Sequence, residues 1–351
     1  MASSIRGRAR IRNMPYRLDL NESVPDGVRR IAREELESAA GSLAQAKAAN
    51  RNEAIHEARK SLKKVRALLR LMRPEVEAIF RAENQRLRNA GRRLSRFRDA
   101  GVLIETFDDL RERYREDLGR RKLASIRRAL VAAKRQQESR GVAGRLEGVS
   151  TTLRAAARRV DRWPLKAAGF EAIAPGLGKT FRQGRRRLAT AREQGRAEDF
   201  HEWRKRVKDH WYHVRLLQDL KADELVEYEK TLHDLETWLG DDHNLVLLHD
   251  RLIARTWAKD RPQEVERCLG LIQRRQHELR AKALELGAHV YGVKRREFVE
   301  KIGRLWHDRQ PQPVAASTPA VTAPHVPPAS PHPRKAVRAA AGQSGRNPVH
   351  S

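Results

Sequence analysis

Several features that commonly reveal a protein's chemistry are scarce in this chain of 351 residues. Its single cysteine, Cys268, excludes an internal disulfide and a zinc finger, because each needs at least two cysteines. Aromatic residues make up only 5%, and no long run alternates β-branched with polar residues, which argues against a sheet protein. No stretch approaches about 18 consecutive apolar residues, and the first residues lack the apolar core of a secretory signal. We therefore expect an all-α protein of the cytoplasm without a membrane span.

Positive charge is what the chain has in excess: 74 Lys and Arg oppose 45 Asp and Glu, a formal net charge of +29. Such an excess predicts a polyanionic partner, which could be nucleic acid, a phosphate polymer or an anionic membrane surface. The C-terminal stretch 310–351 holds nine of the 15 prolines, no acidic residue and only four cations, a composition typical of a disordered tail. Because 25 of the 29 net charges lie outside that tail, the charge belongs to the folded part.

Helical periodicity runs through almost everything between a basic, irregular segment at 1–25 and the tail. Proline and glycine divide this helical domain, 26–309, into segments of roughly 20 to 35 residues, which are typical of antiparallel bundles. We expect breaks between segments at Arg73-Pro74, Ala100-Gly101, Gly141 to Gly148, Trp163-Pro164, Ala174-Pro175-Gly176, Gly240-Asp241-Asp242 and Asp260-Arg261-Pro262.

The most informative feature is an internal duplication. The run His56-Glu57-Ala58-Arg59-Lys60-Ser61-Leu62-Lys63 returns as His201-Glu202-Trp203-Arg204-Lys205-Arg206-Val207-Lys208, with five of eight positions identical at an offset of 145. The same offset, without a gap, places Arg70-Leu71 on Arg215-Leu216 and Leu94 on Leu239. This continuation predicts two homologous helical units, a first half at 26–145 and a second half at 146–309.

Each motif helix has an apolar face and a basic face when its residues are placed at about 100° intervals. The first basic stripe comprises His56, Arg59, Lys60, Lys63, Arg66 and Arg70. The second comprises His201, Arg204, Lys205, Lys208 and Arg215, with Tyr212 inside its arc and Trp211 beside it. An ordinary solvated helix surface is the alternative, but such surfaces usually mix signs, whereas a single sign costs self-repulsion and favours an anion site. His210 falls on the apolar face, and we predict that it is buried.

At these residues the sequence resembles the CHAD family, the conserved-histidine α-helical domains, over residues 26 to 306. The resemblance rests on the two His-x-x-Arg-Lys-x-x-Lys helices and on a Leu-Gly-x-x-x-Asn element that begins at Leu239-Gly240, where the first half has Leu94-Ser95. It implies an all-α fold of two four-helix bundles related by a pseudo-two-fold axis. Basic residues of both halves would then line one surface that binds inorganic polyphosphate, in a protein associated with polyphosphate or polyester storage granules.

The resemblance also implies which residues bind the ligand. They are the members of the two basic stripes together with a basic pair in the preceding helix of each half, Arg30 and Arg33 in the first and Lys179 and Arg182 in the second. We predict no catalytic residue, cofactor or metal.

Our sequence-based prediction is therefore a non-enzymatic polyphosphate-binding protein. A phosphate chain has no bases to stack, and the first stripe contains no aromatic residue, which favours this ligand over single-stranded nucleic acid. Duplex DNA binding needs only charge and remains an alternative, so nucleic acid is a competing polyanion. Two further alternatives are an enzyme of polyphosphate metabolism that uses a histidine as phosphoryl acceptor, and a scaffold that docks on a storage granule.

Overall fold

The computed structural model describes residues 16–118, 123–138, 142–254 and 262–309, without the side chains of 96–99, 137–138 and 142–143. Within these ranges the regular secondary structure is helical throughout, so the predicted all-α class is confirmed. The tail at 310–351 and residues 1–15 of the N-terminal segment lie outside the described residues.

Proline and glycine mark several of the helix ends. Pro25, Pro74 and Pro175 stand in the first turn of their helices, where the missing N–H group costs no hydrogen bond. The helices of the described residues are α1 Val24–Ala44, α2 Arg51–Leu71, α3 Arg73–Arg113, α4 Arg115–Leu118, α5 Ala124–Glu138, α6 Val142–Val160, α7 Ala174–Gln194, α8 Ala197–Arg215, α9 Asp223–Ile253, α10 Pro262–Val290 and α11 Arg295–Arg309. None of them combines the length and apolarity that crossing a bilayer requires.

Two of the predicted breaks are wrong, and most of a third, Gly141 to Gly148, lies inside α6. Ala100-Gly101 lies inside α3, and Gly240-Asp241-Asp242 lies inside α9, so both glycines are helical. A glycine in a helix interior costs only about 1 kcal/mol, which tertiary packing readily offsets. The breaks at Arg73-Pro74 and Trp163-Pro164 are confirmed, and Pro262 opens α10.

The two halves repeat one packing order. In the first half α1 contacts α2, α2 contacts α3, α3 contacts α5, and α6 packs back against α1. In the second half α7 contacts α8, α8 contacts α9, α9 contacts α10, and α11 packs back against α7. The predicted pair of pseudo-symmetric helical bundles is therefore present.

The junction between the halves lies later than predicted. The boundary expected between 145 and 146 falls inside α6, which buries Leu146, Val149 and Leu153 in the core that it shares with α1. The helical period runs on through this boundary, so periodicity alone could not locate it. The junction is the segment 161–173, which contains Trp163-Pro164.

Both hydrophobic clusters draw on both halves, which joins the two bundles into one domain. The larger cluster combines α1, α2 and α6 with α7, α8 and α11, and the smaller one joins the distal parts of α3 and α9 to α5 and α10. The two halves approach each other closely at Gly176 of α7, where a Cβ atom would lie 1.9 Å from the carbonyl oxygen of Leu71. Glycine is required there because no side chain fits against that backbone.

The end of the N-terminal segment spans the two halves. Residues 16–23 contain no helix, as expected for this segment, yet Tyr16 and Leu18 are buried. The Tyr16 hydroxyl donates a hydrogen bond to the carbonyl of Lys64 (3.2 Å), and the Leu18 N–H donates to the carbonyl of Leu216 (2.8 Å). This segment is thus hydrogen-bonded to α2 in one half and to the end of α8 in the other.

Candidate functional site

The two motif helices contact one another where the halves meet. His213 of α8 lies with its Nε2 atom 2.8 Å from the carbonyl oxygen of Ala67 in α2, so this ring donates a hydrogen bond across the junction. Nearby, Lys63 of α2 interacts electrostatically with the positive charges of Lys208 and Arg204 of α8. Lys63 and Lys208 are equivalent positions of the duplication, so the sequence repeat brings its own matching residues together.

Lys63 lies in an environment that opposes its charge. Burial, followed by the like charges of Lys208, Arg204 and Arg59, holds the pKa of Lys63 well below its ordinary value. Only Glu236 of α9 acts in the opposite direction among the main influences on this group. We call Arg59, Lys63, Arg204 and Lys208 the central cation cluster.

A second group of cations lies beside α2 and comprises Arg66 and Arg70 of α2, Arg88 of α3 and Arg206 of α8. We call it the arginine cluster. Its described carboxylate partner is Asp209, which contacts Arg70 and Arg206 at 3.1 Å each. Burial, with the neighbouring charge of Arg70, lowers the pKa of Arg66 to about 10. The Nε of Arg66 donates to the neutral Oδ1 of Asn84 at 3.0 Å.

The third helix of each half, α3 in the first and α9 in the second, contacts the arginine of the motif. In the first half, Arg59 donates to the carbonyl of Gly91 (3.2 Å) and to the hydroxyl of Ser95, both neutral oxygens of α3. In the second half, a Cβ atom at Gly240 of α9 would lie 3.6 Å from the guanidinium of Arg204. Ser95 and Gly240 are equivalent positions, and both lie on a helical surface against which the arginine packs, whereas a break between helices was predicted at Gly240.

Glu236 distinguishes the second half from the first. Its carboxylate lies 3.5 Å from Arg204 and forms a closer ion pair with Lys208. This side chain is only 10% exposed. The equivalent position in the first half is Gly91, which has no side chain to offer.

The aromatic residues of the second stripe are buried. Trp211 is 8% exposed and Tyr212 is 2% exposed. The indole N–H of Trp211 donates to Glu229 (2.5 Å), and the guanidinium of Arg215 lies over the indole ring, 5.0 Å from its centroid. Arg215 is thus held by an aromatic ring and, at 3.9 Å, by Glu229.

The two leading histidines have different surroundings. His56 is partly exposed, 43% for its side chain, with Nε2 3.9 Å from Glu57. His201 packs against His243 of α9 at 4.1 Å between ring centroids, and its buried Nδ1 has no hydrogen-bond partner among the described residues. Burial, with the charges of Lys205 and Arg204, lowers the pKa of His201, and burial next to His201 lowers the pKa of His243 to about 3. Both rings are therefore neutral at neutral pH.

The other predicted site residues lie at the margins. Lys60 and Lys205 each pair with a glutamate one turn earlier on their own helix, Glu57 and Glu202, and the two lysine side chains are 42% and 43% exposed. Lys179 of α7 lies close enough to Glu77 of α3 to lower the pKa of that carboxyl, although the main cause is the hydrogen bond from Arg73. Arg182, also on α7, is exposed.

Arg30 and Arg33 make their contacts away from α8. The Nε of Arg30 donates to Glu22 (2.9 Å), and Arg30 also pairs with Glu34, while Arg33 pairs with Asp161 at the junction. Their predicted role in binding remains a prediction, because the contacts described for them go to the N-terminal segment, to α1 itself and to the junction.

Sequence reasoning identified the stripes but missed four of their neighbours. They are Arg88, Arg206, Glu236 and His243. The repeat gave no signal for three of them, because Arg88, Glu236 and His243 differ from the residues at their equivalent positions, which are His233, Gly91 and Arg98. Arg206 lies outside the arc of the second stripe. It acts on Arg66 and Arg70 of α2 because α8 packs against α2. His210, in contrast, is fully buried as predicted, and burial lowers its pKa to about 3.

Fold and site together define a class of protein: a duplicated all-α domain whose halves present matched basic helices to each other. The family model of the CHAD domain matches residues 30–253, and the chain therefore belongs to the CHAD domain family. Among solved structures, the chain is similar to the crystal structure of the CHAD domain from the plant Ricinus communis, at 19% identity and a TM-score of 0.49, covering 87% of this chain and 99% of that chain. A comparison with curated proteins found no match.

Proposed function

We propose that this protein binds inorganic polyphosphate, without catalysis, on the surface formed by α2 and α8. The observation that carries the proposal is the central cation cluster, in which burial, followed by the like charges of Lys208, Arg204 and Arg59, holds the pKa of Lys63 down. A free protein that keeps cations so close together gains when an anion enters among them, because the anion offsets both their repulsion and their burial.

The donor types suit a phosphate chain. Arg59 and Arg204 supply guanidinium groups that bind phosphate oxygens in a fixed geometry, and Lys63 and Lys208 supply point charges. The burial of Trp211 and Tyr212 supports phosphate over single-stranded nucleic acid, because binders of single strands stack the bases on accessible aromatic rings. Duplex DNA is the second candidate, since the net charge of +29 alone would favour it.

We also propose that the protein is located in the cytoplasm, in part at storage granules, and that it does not cleave polyphosphate. A protein that binds polyphosphate without cleaving it suits the cytoplasm and the surface of a storage granule. Incubation with labelled polyphosphate and Mg²⁺, followed by product analysis, tests the enzymatic alternative: we expect the chain length to stay unchanged.

The decisive experiment replaces one arginine in each half. In the variant Arg59→Gln with Arg204→Gln, we expect polyphosphate affinity to fall about 100-fold or more, since each charge-assisted hydrogen bond contributes about 1.5 to 3 kcal/mol. The matched control is Arg154→Gln with Arg158→Gln, which removes the same charge from exposed positions on α6. Titrations over a salt series, with circular dichroism to confirm helicity, provide the measurement.

Equal affinity of the two double variants would contradict the assignment of the site. Competition then separates the ligands: we expect polyphosphate to displace duplex DNA, and DNA at matched phosphate concentration to displace polyphosphate poorly. The reverse order would establish nucleic acid as the partner and overturn the proposal.

A further inference from the structure

Both basic stripes continue past the central cation cluster, and the surroundings of their last residues differ between the two halves. On α2 the next stripe residues are Arg66 and Arg70, and Arg70 lies seven residues beyond Lys63, about 10 Å along the helix. The repeat places Trp211 and Arg215 of α8 at the positions equivalent to Arg66 and Arg70. We call the surroundings of Arg66 and Arg70 the first flank, and those of Trp211 and Arg215 the second flank.

The first flank is the arginine cluster, in which arginines of three helices gather near one described carboxylate. Asp209 contacts Arg70 and Arg206 at 3.1 Å each. Burial lowers the pKa of Arg66 to about 10, and the charge of Arg88 acts in the same direction on Arg66 and Arg70. The side chain of Arg88 is exposed, so this flank is open to solvent.

The second flank is filled by aromatic side chains and a carboxylate. The Trp211 indole N–H donates to Glu229 at 2.5 Å, and the Arg215 guanidinium lies over the indole ring and 3.9 Å from Glu229. His233 of α9, at the position equivalent to Arg88, packs against Trp211 with 4.9 Å between ring centroids. Arg215 is therefore already paired within the protein.

The N-terminal segment covers the second flank. Tyr16 packs edge-on against Tyr212, with 5.9 Å between ring centroids, and Arg215 is close enough to act on the Tyr16 hydroxyl. The ammonium group of Lys64 lies over the Tyr16 ring, 5.0 Å from its centroid, and pairs with Glu35 of α1 at 2.5 Å. A buried tyrosine and its neighbours thus occupy the space beside the end of the second stripe.

From this difference we infer that a long polyphosphate chain leaves the central cation cluster along the first flank and not along the second. The inference rests on the proposed function and deepens it. It adds to the binding residues Arg88 and Arg206, which the basic stripes do not include, and it sets Arg215 apart from them. The site then has one open end, at which a long ligand gains contacts that a short one cannot reach.

The cost of binding differs between the flanks in the same direction. A phosphate that enters the first flank can bind Arg66 without displacing a carboxylate, because this guanidinium donates to the neutral oxygen of Asn84. It also reduces the repulsion among the arginines and meets planar donors suited to phosphate oxygens. A phosphate that enters the second flank must separate Arg215 from Glu229, whose side chain is only 17% exposed, and a buried carboxylate left without its donors is costly.

A double substitution in the arginine cluster tests the inference. In the variant Arg88→Gln with Arg206→Gln, we expect the affinity for long-chain polyphosphate to fall about tenfold or more, because two guanidinium contacts are lost. The affinity for tripolyphosphate should fall much less, because so short a chain fills the central cation cluster without reaching these residues. Calorimetric titration measures both affinities, and the salt dependence of long-chain binding should become shallower in the variant.

Two comparisons separate the first flank from positive charge in general. Arg154→Gln with Arg158→Gln removes the same charge from exposed positions on α6 and should leave both affinities nearly unchanged. Arg66→Gln and Arg215→Gln each remove one stripe cation, and we expect the larger loss of long-chain affinity from Arg66→Gln. Circular dichroism and thermal unfolding confirm that each variant folds. If the double variant does not fold, Arg88→Gln alone, at an exposed position, should still lower long-chain affinity several-fold.

The outcomes distinguish the inference from the proposed function. If the parent binds long-chain polyphosphate but the double variant matches the α6 control, the first flank does not carry the chain, and the inference is wrong while the proposed function stands. Equal losses for tripolyphosphate and long-chain polyphosphate, or a larger loss from Arg215→Gln than from Arg66→Gln, would also overturn it. If the parent binds neither ligand, the proposed function fails and the inference fails with it.

Discussion

Mild acid should lower the free energy of unfolding through two histidines that are buried at the junction on which the site is built. Burial lowers the pKa of His213 to about 4 and that of His210 to about 3, against an ordinary value near 6.5. His213 joins α8 to the Ala67 carbonyl of α2, so its protonation would disturb the contact between the halves. Among the charged groups that act on it, Asp209 favours a positive charge on the ring, whereas Arg70 and Arg206 oppose it.

The magnitude follows from proton linkage. Both histidines stay neutral in the folded protein at pH 5 but are protonated in the unfolded chain, so stability is lost as pH falls below about 6.5. Over the 1.5 units to pH 5, each histidine costs about 2 kcal/mol, at about 1.36 kcal/mol per unit, and the pair costs about 4 kcal/mol. For a domain of this size, 1 kcal/mol corresponds to about 2 °C in melting temperature, so the pair accounts for a decrease of about 8 °C.

The test compares the parent with His213→Gln, in which the amide can still donate to Ala67. Thermal unfolding monitored by circular dichroism between pH 7.5 and 5 should show a pH-dependent decrease about 4 °C smaller in the variant. Other groups titrate in this range, but their contributions cancel in the comparison. Identical pH dependence in parent and variant would refute the reasoning, since it would mean that His213 is not held neutral in the folded state.

Two further predictions concern stability at neutral pH. Lys63→Met should raise the unfolding free energy of the free protein by about 1 to 3 kcal/mol, because it removes a partly buried cation from among like charges, and it should weaken polyphosphate binding. Thermal unfolding with and without polyphosphate measures both effects, and a lower melting temperature would show that Lys63 is not repelled. Gly176→Ala should destabilise by about 3 kcal/mol or more, because its Cβ would meet the carbonyl of Leu71. Gly148→Ala on α6, where a Cβ meets nothing within 4 Å, should instead gain up to about 1 kcal/mol in helix propensity. Urea unfolding compares the two glycine variants, and equal midpoints would contradict the close approach of α7 to α2.

Much of the fold could be predicted because its signals are local or repeat along the chain. Helical periodicity identified the all-α class, and prolines such as Pro74 marked true helix starts. Gly101 and Gly240 were misleading, because glycine weakens a helix only slightly and packing along α3 and α9 keeps both helices continuous. The junction between the halves escaped prediction because the assignment of α6 depends on its contact with α1, which no local pattern reports.

The basic stripes of the site could be predicted from the sequence, but their partners on other helices could not. Residues that share a helix face can be read from their spacing, so His56, Arg59 and Lys63 appear together in the sequence. Their partners on other helices cannot be read in this way. Arg206 reaches the arginine cluster from outside the second stripe, and Glu236 reaches the central cation cluster from α9.

By itself the sequence determined the helices, the duplication, the position of each basic residue on its helix and the family resemblance, because these depend on spacing along the chain. Only the tertiary structure decided which charges meet. The crossing of α2 and α8 brings Lys63 to Lys208, and the neighbouring helices supply a carboxylate at Glu236 but only a backbone at Gly91. Electrostatic interactions depend on distance and burial in space, so two stripes of nearly equal charge acquire different surroundings when the chain folds.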